Sequence, residues 1–336
     1  MGNSLTICCC EGADDPHSGP APTMKNSKKS NRGGSSRRDN TNDSHAGRDT
    51  QESTKNSDAP PKKKDSMVFH SEGGDDAEAF DRAFRANDIP KLVKLMDSDE
   101  RIETDEQMHQ WATNPRSIGA LAGTQIAIKA AVTQESATPL QPFDPDMKDK
   151  VRKAAGAIPK LVKYLKSSEE DRIHTAVVAL SFLCIENPLN AKAADDAGAI
   201  QPLVPLMLSP IEGLACAAAS VIRNIILEDE AAKEKFVEAR GVEGFVKLVE
   251  LPKGYKQLDP DDTQRMLDLK LEALLTICEF LEDHTADRKI VPKYARLVRE
   301  QGIETKLKDL YQFGDQELED VADDIARSLE SVLSKK

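Results

Sequence analysis

One short string keeps returning along this chain, and it limits what the chain can fold into. Gly156-Ala157-Ile158-Pro159-Lys160-Leu161-Val162 comes back as Gly198-Ala199-Ile200-Gln201-Pro202-Leu203-Val204. It returns, decayed, as Gly241-Val242-Glu243-Gly244-Phe245-Val246, and again from Gly302-Ile303 to Leu310. The first steps are about 42 residues, a period that belongs to stacked helical arrays rather than to a closed core. The step from Gly241 to Gly302 is longer by about 18 residues, one repeat plus an insertion. Upstream, Ile89-Pro90-Lys91-Leu92-Val93 nearly copies Ile158 to Val162. This predicts five to six units, the first divergent and carrying an insertion before Pro145.

Each copy dictates the same anatomy. A short polar helix ends at the glycine, where positive φ costs no Cβ clash. An apolar helix follows with Pro in its first turn, where backbone N–H groups have no partner anyway. A longer helix comes third, headed by Ala176, Ala218, Ala273 or Ala322, small enough to let adjacent units approach. Hydrophobic residues make up 39% of the chain and aromatics 4%, so the core must be built from Leu, Ile, Val and Ala, which suits packed helices. No unit can bury its apolar face alone, and stacking buries one continuous core. The expected fold is all-α, a superhelical solenoid behind a disordered N-terminal tail. Residues 1–10 form a lipidation signal, 11–74 a partly basic linker, 75–144 divergent repeat sequence and 145–336 the regular repeats. The insertion is placed at 251–264, as a loop between the second and third helices of its unit.

The first ten residues carry a separate signal. Met1-Gly2-Asn3-Ser4-Leu5-Thr6 fits the myristoylation pattern, with Gly2 as acceptor once Met1 is removed. Cys8, Cys9 and Cys10 follow, placed where a myristoylated terminus would hold them for palmitoylation. One myristoyl chain binds a bilayer with K of roughly 10⁴ M⁻¹, and a second chain makes the anchor durable. Residues 11–74 contain few large hydrophobes and cannot bury enough surface to offset chain entropy. Within them Lys25, Lys28, Lys29, Arg32, Arg37 and Arg38 follow one another with no acid between them, up to Asp39. Beside a lipid anchor this reads as a patch for anionic lipid, worth up to about 1 kcal/mol per charge.

Other classes are disfavoured. The net charge of −12 argues against nucleic-acid binding by the chain as a whole. No apolar run reaches the length of a membrane span, and the N-terminus has no secretory apolar region, so the chain is expected on the cytoplasmic side. Cys184, Cys216 and Cys278 lie in apolar helical patterns and read as buried hydrophobes. Phosphate-loop, nucleophile-elbow, zincin and EF-hand motifs are absent. We expect no metal, no cofactor, no small-molecule substrate and no catalysis.

Three helices per unit, the period and the Gly-Ala-Ile-Pro opening resemble the armadillo repeat. That resemblance implies a concave groove lined by the third helices, in which a Trp and an Asn of each unit hold a partner segment. Here the Trp slots hold Val178, Ser220, Leu275 and Asp324, and the Asn slots hold Phe182, Asn224, Glu279 and Ser328. Only Asn224 keeps the pattern. The broken ladder argues against capture of an extended basic peptide and points to an amphipathic, partly basic segment laid in the groove. Phe182 is open to two readings, core-packed or groove-lining. A short array behind a double-acylation signal is similar to the armadillo-repeats-only proteins of apicomplexan parasites. It also resembles the acylated vacuolar armadillo protein of yeast, whose array is much longer. The first resemblance implies anchoring by acyl chains to the cytoplasmic face of the rhoptry, a secretory organelle. There the groove would recruit cytosolic proteins, a myosin motor and an adaptor among them, to position it. In that family the cysteines stand nearer the glycine and the tail is shorter. The alternative is a soluble armadillo cofactor, a nuclear-import adaptor or a chaperone nucleotide-exchange factor.

Overall fold

Side-chain caps set where many helices begin. Asp88, Ser117, Asn187, Asp229 and Asp259 each accept a hydrogen bond from the backbone N–H three residues on, at 2.7–3.2 Å. Each such cap contributes about 1 kcal/mol. In a computed structural model the residues described are 75–102, 113–138, 141–154, 156–227, 229–285 and 287–333. The expected disordered tail, the acyl acceptors Gly2 and Cys8–Cys10, and the basic residues Lys25 to Arg38 lie outside them.

The described residues form five three-helix units and no strand. The first is α1 (Asp75–Arg85), α2 (Ile89–Leu95) and α3 (Ile118–Ala131). The second is α4 (Met147–Lys153), α5 (Ala157–Tyr164) and α6 (Glu170–Cys184); the third is α7 (Pro188–Asp196), α8 (Ile200–Leu206) and α9 (Glu212–Ile226). The fourth is α10 (Glu230–Glu238), α11 (Gly241–Val249) and α12 (Pro260–Leu281); the fifth is α13 (Pro292–Glu300), α14 (Ile303–Leu310) and α15 (Gln316–Leu333). Each third helix packs on the third helix of the next unit, from α3 through α6, α9 and α12 to α15. Ala176, Ala218, Ala273 and Ala322 sit fully buried, as close stacking requires, but inside their helices rather than at the heads, because the helices begin earlier, at Glu170, Glu212, Pro260 and Gln316. One hydrophobic core runs from Ala77 to Leu329.

The repeat glycines do two different jobs. Gly156, Gly198 and Gly302 take φ of 83°, 80° and 74°, the left-handed turn between first and second helices. In the fourth unit Arg240 adopts that conformation instead, at φ 62°. Gly241 is then the first residue of α11 and fully packed: a Cβ there would come within 1.9 Å of the Phe236 ring. The expectation that every repeat glycine supplies positive φ is corrected here, because Gly241 serves close packing.

The insertion also differs from its expected outline. Only residues 250–259 form the loop, with a short 3₁₀ turn at Tyr255–Gln257. Residues 260–264 belong to α12, because Pro260 is preset for a first helical turn and Asp259 caps it. The added length is shared out: α12 has 22 residues where α6 and α9 have 15, and the connection 282–291 is long where 185–187 is short. The loop is a strap. Its half-buried Tyr255 meets the Phe313 ring edge-on at 5.8 Å and donates to Gln312 Oε1 at 2.6 Å, joining the fourth unit to the fifth.

Ion pairs also bridge the divergent first unit and the second. Lys160 reaches Asp97 at 2.6 Å and the Val93 carbonyl at 2.9 Å, and Arg101 meets Glu169 at 2.6 Å. Arg172 pairs with Asp99, and its guanidinium lies 5.1 Å from the centre of the Tyr164 ring.

Candidate partner-binding groove

Helix geometry places the slots on one face. On α6, Val178 and Phe182 are one turn apart and both half-buried. Each packs against the core and keeps part of its side chain exposed. On α9, Ser220 and Asn224 are half-buried. The Asn224 amide donates to the Ser220 carbonyl at 2.8 Å, so this donor is spent within its own helix. On α12, Leu275 and Glu279 are half-buried; on α15, Asp324 is exposed and Ser328 half-buried.

The structure unites only part of this set. A cleft of about 420 Å³ opens between α12 and α15, and Leu275, Asp324 and Ser328 line it. Val178, Phe182, Ser220 and Asn224 stand on the earlier helices, outside it. The cleft also takes in residues that the slot pattern passed over. Cys278, Leu281 and Val321 make its apolar surface, and Ile290 enters from the 282–291 connection. Glu282 and Arg327 are polar members. Burial pushes the Cys278 thiol up to about 12, so it stays protonated at neutral pH. Cys184, buried in α6, is likewise pushed up to about 12.

Glu279 is already partnered. The Arg288 guanidinium binds its carboxylate and meets Glu282 at 2.6 Å. Burial raises the Glu282 carboxyl above its usual range, Arg288 opposes that shift, and Glu279 adds to it. Asp324 pairs with Arg327 on the same helix, both well exposed, and Asp323 accepts from the Tyr311 hydroxyl. Deeper on the groove wall, Arg223 of α9 meets Glu272 of α12 at 3.2 Å, with both side chains largely buried. Burial raises the Glu272 carboxyl, and the Arg223 charge counters it.

A further set of polar residues recurs once per unit and ties first helices to neighbouring elements. At one fixed offset ahead of the repeat glycines stand Lys148, Asn190, Lys233 and Tyr294. Lys148 donates to the Ile185 carbonyl at 2.6 Å and Lys233 to the Glu282 carbonyl, so each covers the C-terminal end of its own unit's third helix. Asn190 donates to the Leu183 carbonyl at 2.9 Å, and the Tyr294 hydroxyl donates to Glu230 and Glu234. Burial lowers the ammonium pKa of both Lys148 and Lys233. Their equal spacing from the glycine was the signal available in the sequence. Among the described residues no cluster of His, Cys, Asp and Glu could hold a metal, and no helix is long and apolar enough to cross a membrane.

Known proteins share this architecture. The armadillo/beta-catenin-like repeat family matches residues 187–226. The armadillo-repeats-only protein of Plasmodium falciparum superposes with a TM-score of 0.67 at 34% identity, over 77% of this chain and 99% of that one. Vacuolar protein 8 of Saccharomyces cerevisiae is 35% identical over 94 residues, 26% of this chain and 15% of that protein. The chain spans less than a fifth of the length of the curated relatives it matches. A designed armadillo repeat protein solved with the peptide (KR)4 shares the fold at a TM-score of 0.52 and 21% identity, over 75% of this chain and 86% of that one.

Proposed function

The chain belongs to the armadillo-repeats-only family, and on that premise we propose that it is a membrane-tethered scaffold which recruits cytosolic proteins to an organelle surface. The armadillo solenoid is an interaction scaffold rather than an enzyme fold. In this reading Gly2 carries myristate, Cys8, Cys9 and Cys10 carry palmitate, and Lys25 to Arg38 contact anionic lipid. The site of action is the cytoplasmic face of a rhoptry-like secretory organelle. The recruited proteins, a myosin motor and an adaptor among them, bind the concave face and position or dock that organelle.

The observation that carries the reading is one chain joining the Gly2 and Cys8–Cys10 pattern to a solenoid with an open, mixed apolar and acidic concave face. The physical logic is two-signal anchoring: a single acyl chain exchanges, and two chains with a basic patch do not. Val178 and Phe182 suit the apolar side of an amphipathic partner, and Glu279 and Asp324 suit its basic side.

The test is fractionation and imaging of the full chain in its own cell. Gly2→Ala should turn a rim-like organelle signal diffuse. A Cys8→Ser, Cys9→Ser, Cys10→Ser triple variant should bind membranes only transiently. A Gly2→Ala chain that stays wholly membrane-bound would remove the tethering step. A nuclear or diffuse wild type would favour the soluble-cofactor alternative.

A further inference from the structure

The extra residues of the fourth unit build a hairpin whose base, Glu282 and Ile290, lines the cleft. Glu282 and Ile290 pair as an antiparallel bridge, and the Val291 N–H donates to the Leu281 carbonyl at 2.8 Å. The Asp283 carboxylate accepts from the N–H groups of Thr285 and Lys289 at 3.1 and 3.0 Å, and the Asp283 N–H donates to the Lys289 carbonyl at 2.8 Å. These bonds fix the turn. They also hold Arg288 at φ 45°, left-handed backbone that a branched or long L-residue adopts only at a cost. From that position its guanidinium spans Glu279, in the last turn of α12, and Glu282, the residue just after that helix. Next to this acidic seat lie the apolar cleft walls, Leu275, Leu281, Ile290 and Val321. Asp324 lines the same cleft and forms an exposed pair with Arg327.

Resting on the scaffold reading, we infer that Arg288 is an internal stand-in for the partner, and that the 282–291 hairpin is a latch the partner displaces. The geometry shows what chemistry fits, because a guanidinium already fits it. The occupant is a protein segment in which an Arg or Lys is flanked by a large apolar residue. Its apolar side chain enters the cleft between α12 and α15. Its cation takes the Glu279–Glu282 seat from Arg288. A tethered internal ligand competes at high effective concentration, so the latch sets a threshold that weak basic segments do not cross. The exposure of Arg288, 54% of its side chain, lets it leave without opening the core.

The experiment titrates the full chain with a labelled eight-residue peptide of alternating leucine and arginine, by fluorescence anisotropy at low salt. A leucine–glutamate peptide is the control. Arg288→Gly is the main variant, since glycine takes the left-handed backbone freely and keeps the turn. It should bind the leucine–arginine peptide about fivefold tighter than wild type, the scale of one partly exposed ion pair released. Glu279→Gln should weaken binding, and Arg288→Lys should fall between wild type and Arg288→Gly. Equal affinity for wild type and Arg288→Gly, or equal binding of the two peptides, overturns the latch. The scaffold reading is judged apart from this, by recruitment of cytosolic proteins to the organelle. A chain that recruits them but shows no Arg288→Gly effect loses the latch alone.

Discussion

The two ends of the regular array solve the same packing problem with different side chains. From α4 to α9 the only aromatics are Tyr164 and Phe182, and buried Ala, Leu, Ile and Val fill the core. From α10 to α13 the centre is a cluster of rings. Phe236 stands 5.4 Å from Phe245 and 5.7 Å from Phe280, and Phe280 stands 4.4 Å from Tyr294. Buried Lys233 and Lys270 lie in the same unit. The groove changes with the core. On α6 it is apolar and open, whereas between α12 and α15 apolar walls stand beside carboxylates, and Arg288 already holds Glu279 and Glu282. The difference teaches that one backbone plan can present a permissive half and a guarded half. The extra residues were spent on the guarded half, as the longer α12, the Tyr255 strap and the Arg288 hairpin.

The hardest way to break this comparison is at the rings. Phe280→Ala should cost about 3–5 kcal/mol, because a cavity opens among residues that cannot all collapse inward. In a stacked array the loss is local. Hydrogen exchange should therefore show α10 to α15 opening while α6 and α9 stay protected. Uniform deprotection would show that the two halves form a single cooperative block.

A second test uses the buried amine of α12. Lys270 donates to the Leu248 carbonyl, the last turn of α11, and burial lowers it to about 8 from 10.5. Below pH 8 it is charged in both folded and unfolded chains, and folding bears the full burial penalty. Between about pH 8 and 10.5 the folded chain releases the proton first, so wild-type stability from this group rises with pH and is lost again as pH falls through 8. Lys270→Met should therefore stabilise the chain at pH 7 by up to about 2 kcal/mol, the unpartnered Leu248 carbonyl offsetting part of the gain. Urea unfolding at pH 7, 9 and 10.5 should show that gain shrinking; a constant gain would assign it to packing.

Sharper still for function is a pair of groove variants. Phe182→Ala should reduce partner recruitment about tenfold, roughly 1.4 kcal/mol, with Tm little changed because the ring is only half-buried. Glu279→Gln should act on basic partners alone and fade at high salt. Equal losses from both variants, at every salt concentration, would merge the two halves into one site. The smallest effect is expected at the strap: Tyr255→Phe should cost about 1 kcal/mol, seen as earlier exchange in the fifth unit.

Some of the site was legible in advance because helical spacing is local. The slot residues Val178, Phe182, Leu275 and Glu279 follow from counting along a third helix, and each is half-buried. The partnering of Glu279 was not legible, since Arg288 reaches it only after a hairpin folds back. Glu272 and Arg223 were equally hidden: they lie about a repeat apart in sequence and meet only when α9 and α12 stack. Gly241 shows the same limit. Its place in the repeat suggested a left-handed turn, while the Phe236 ring gave it another purpose.

Sequence alone determined the period, the three-helix unit, the small alanines of the third helices and the positions that could face a groove. These depend on periodicity and backbone preference, which neighbouring residues impose on one another. Tertiary structure decided which carboxylates are free, which glycine is packed and not turned, and where the extra residues of the fourth unit go. Those outcomes depend on side chains brought together across units, and burial strengthens every charge and contact only once the stack has closed.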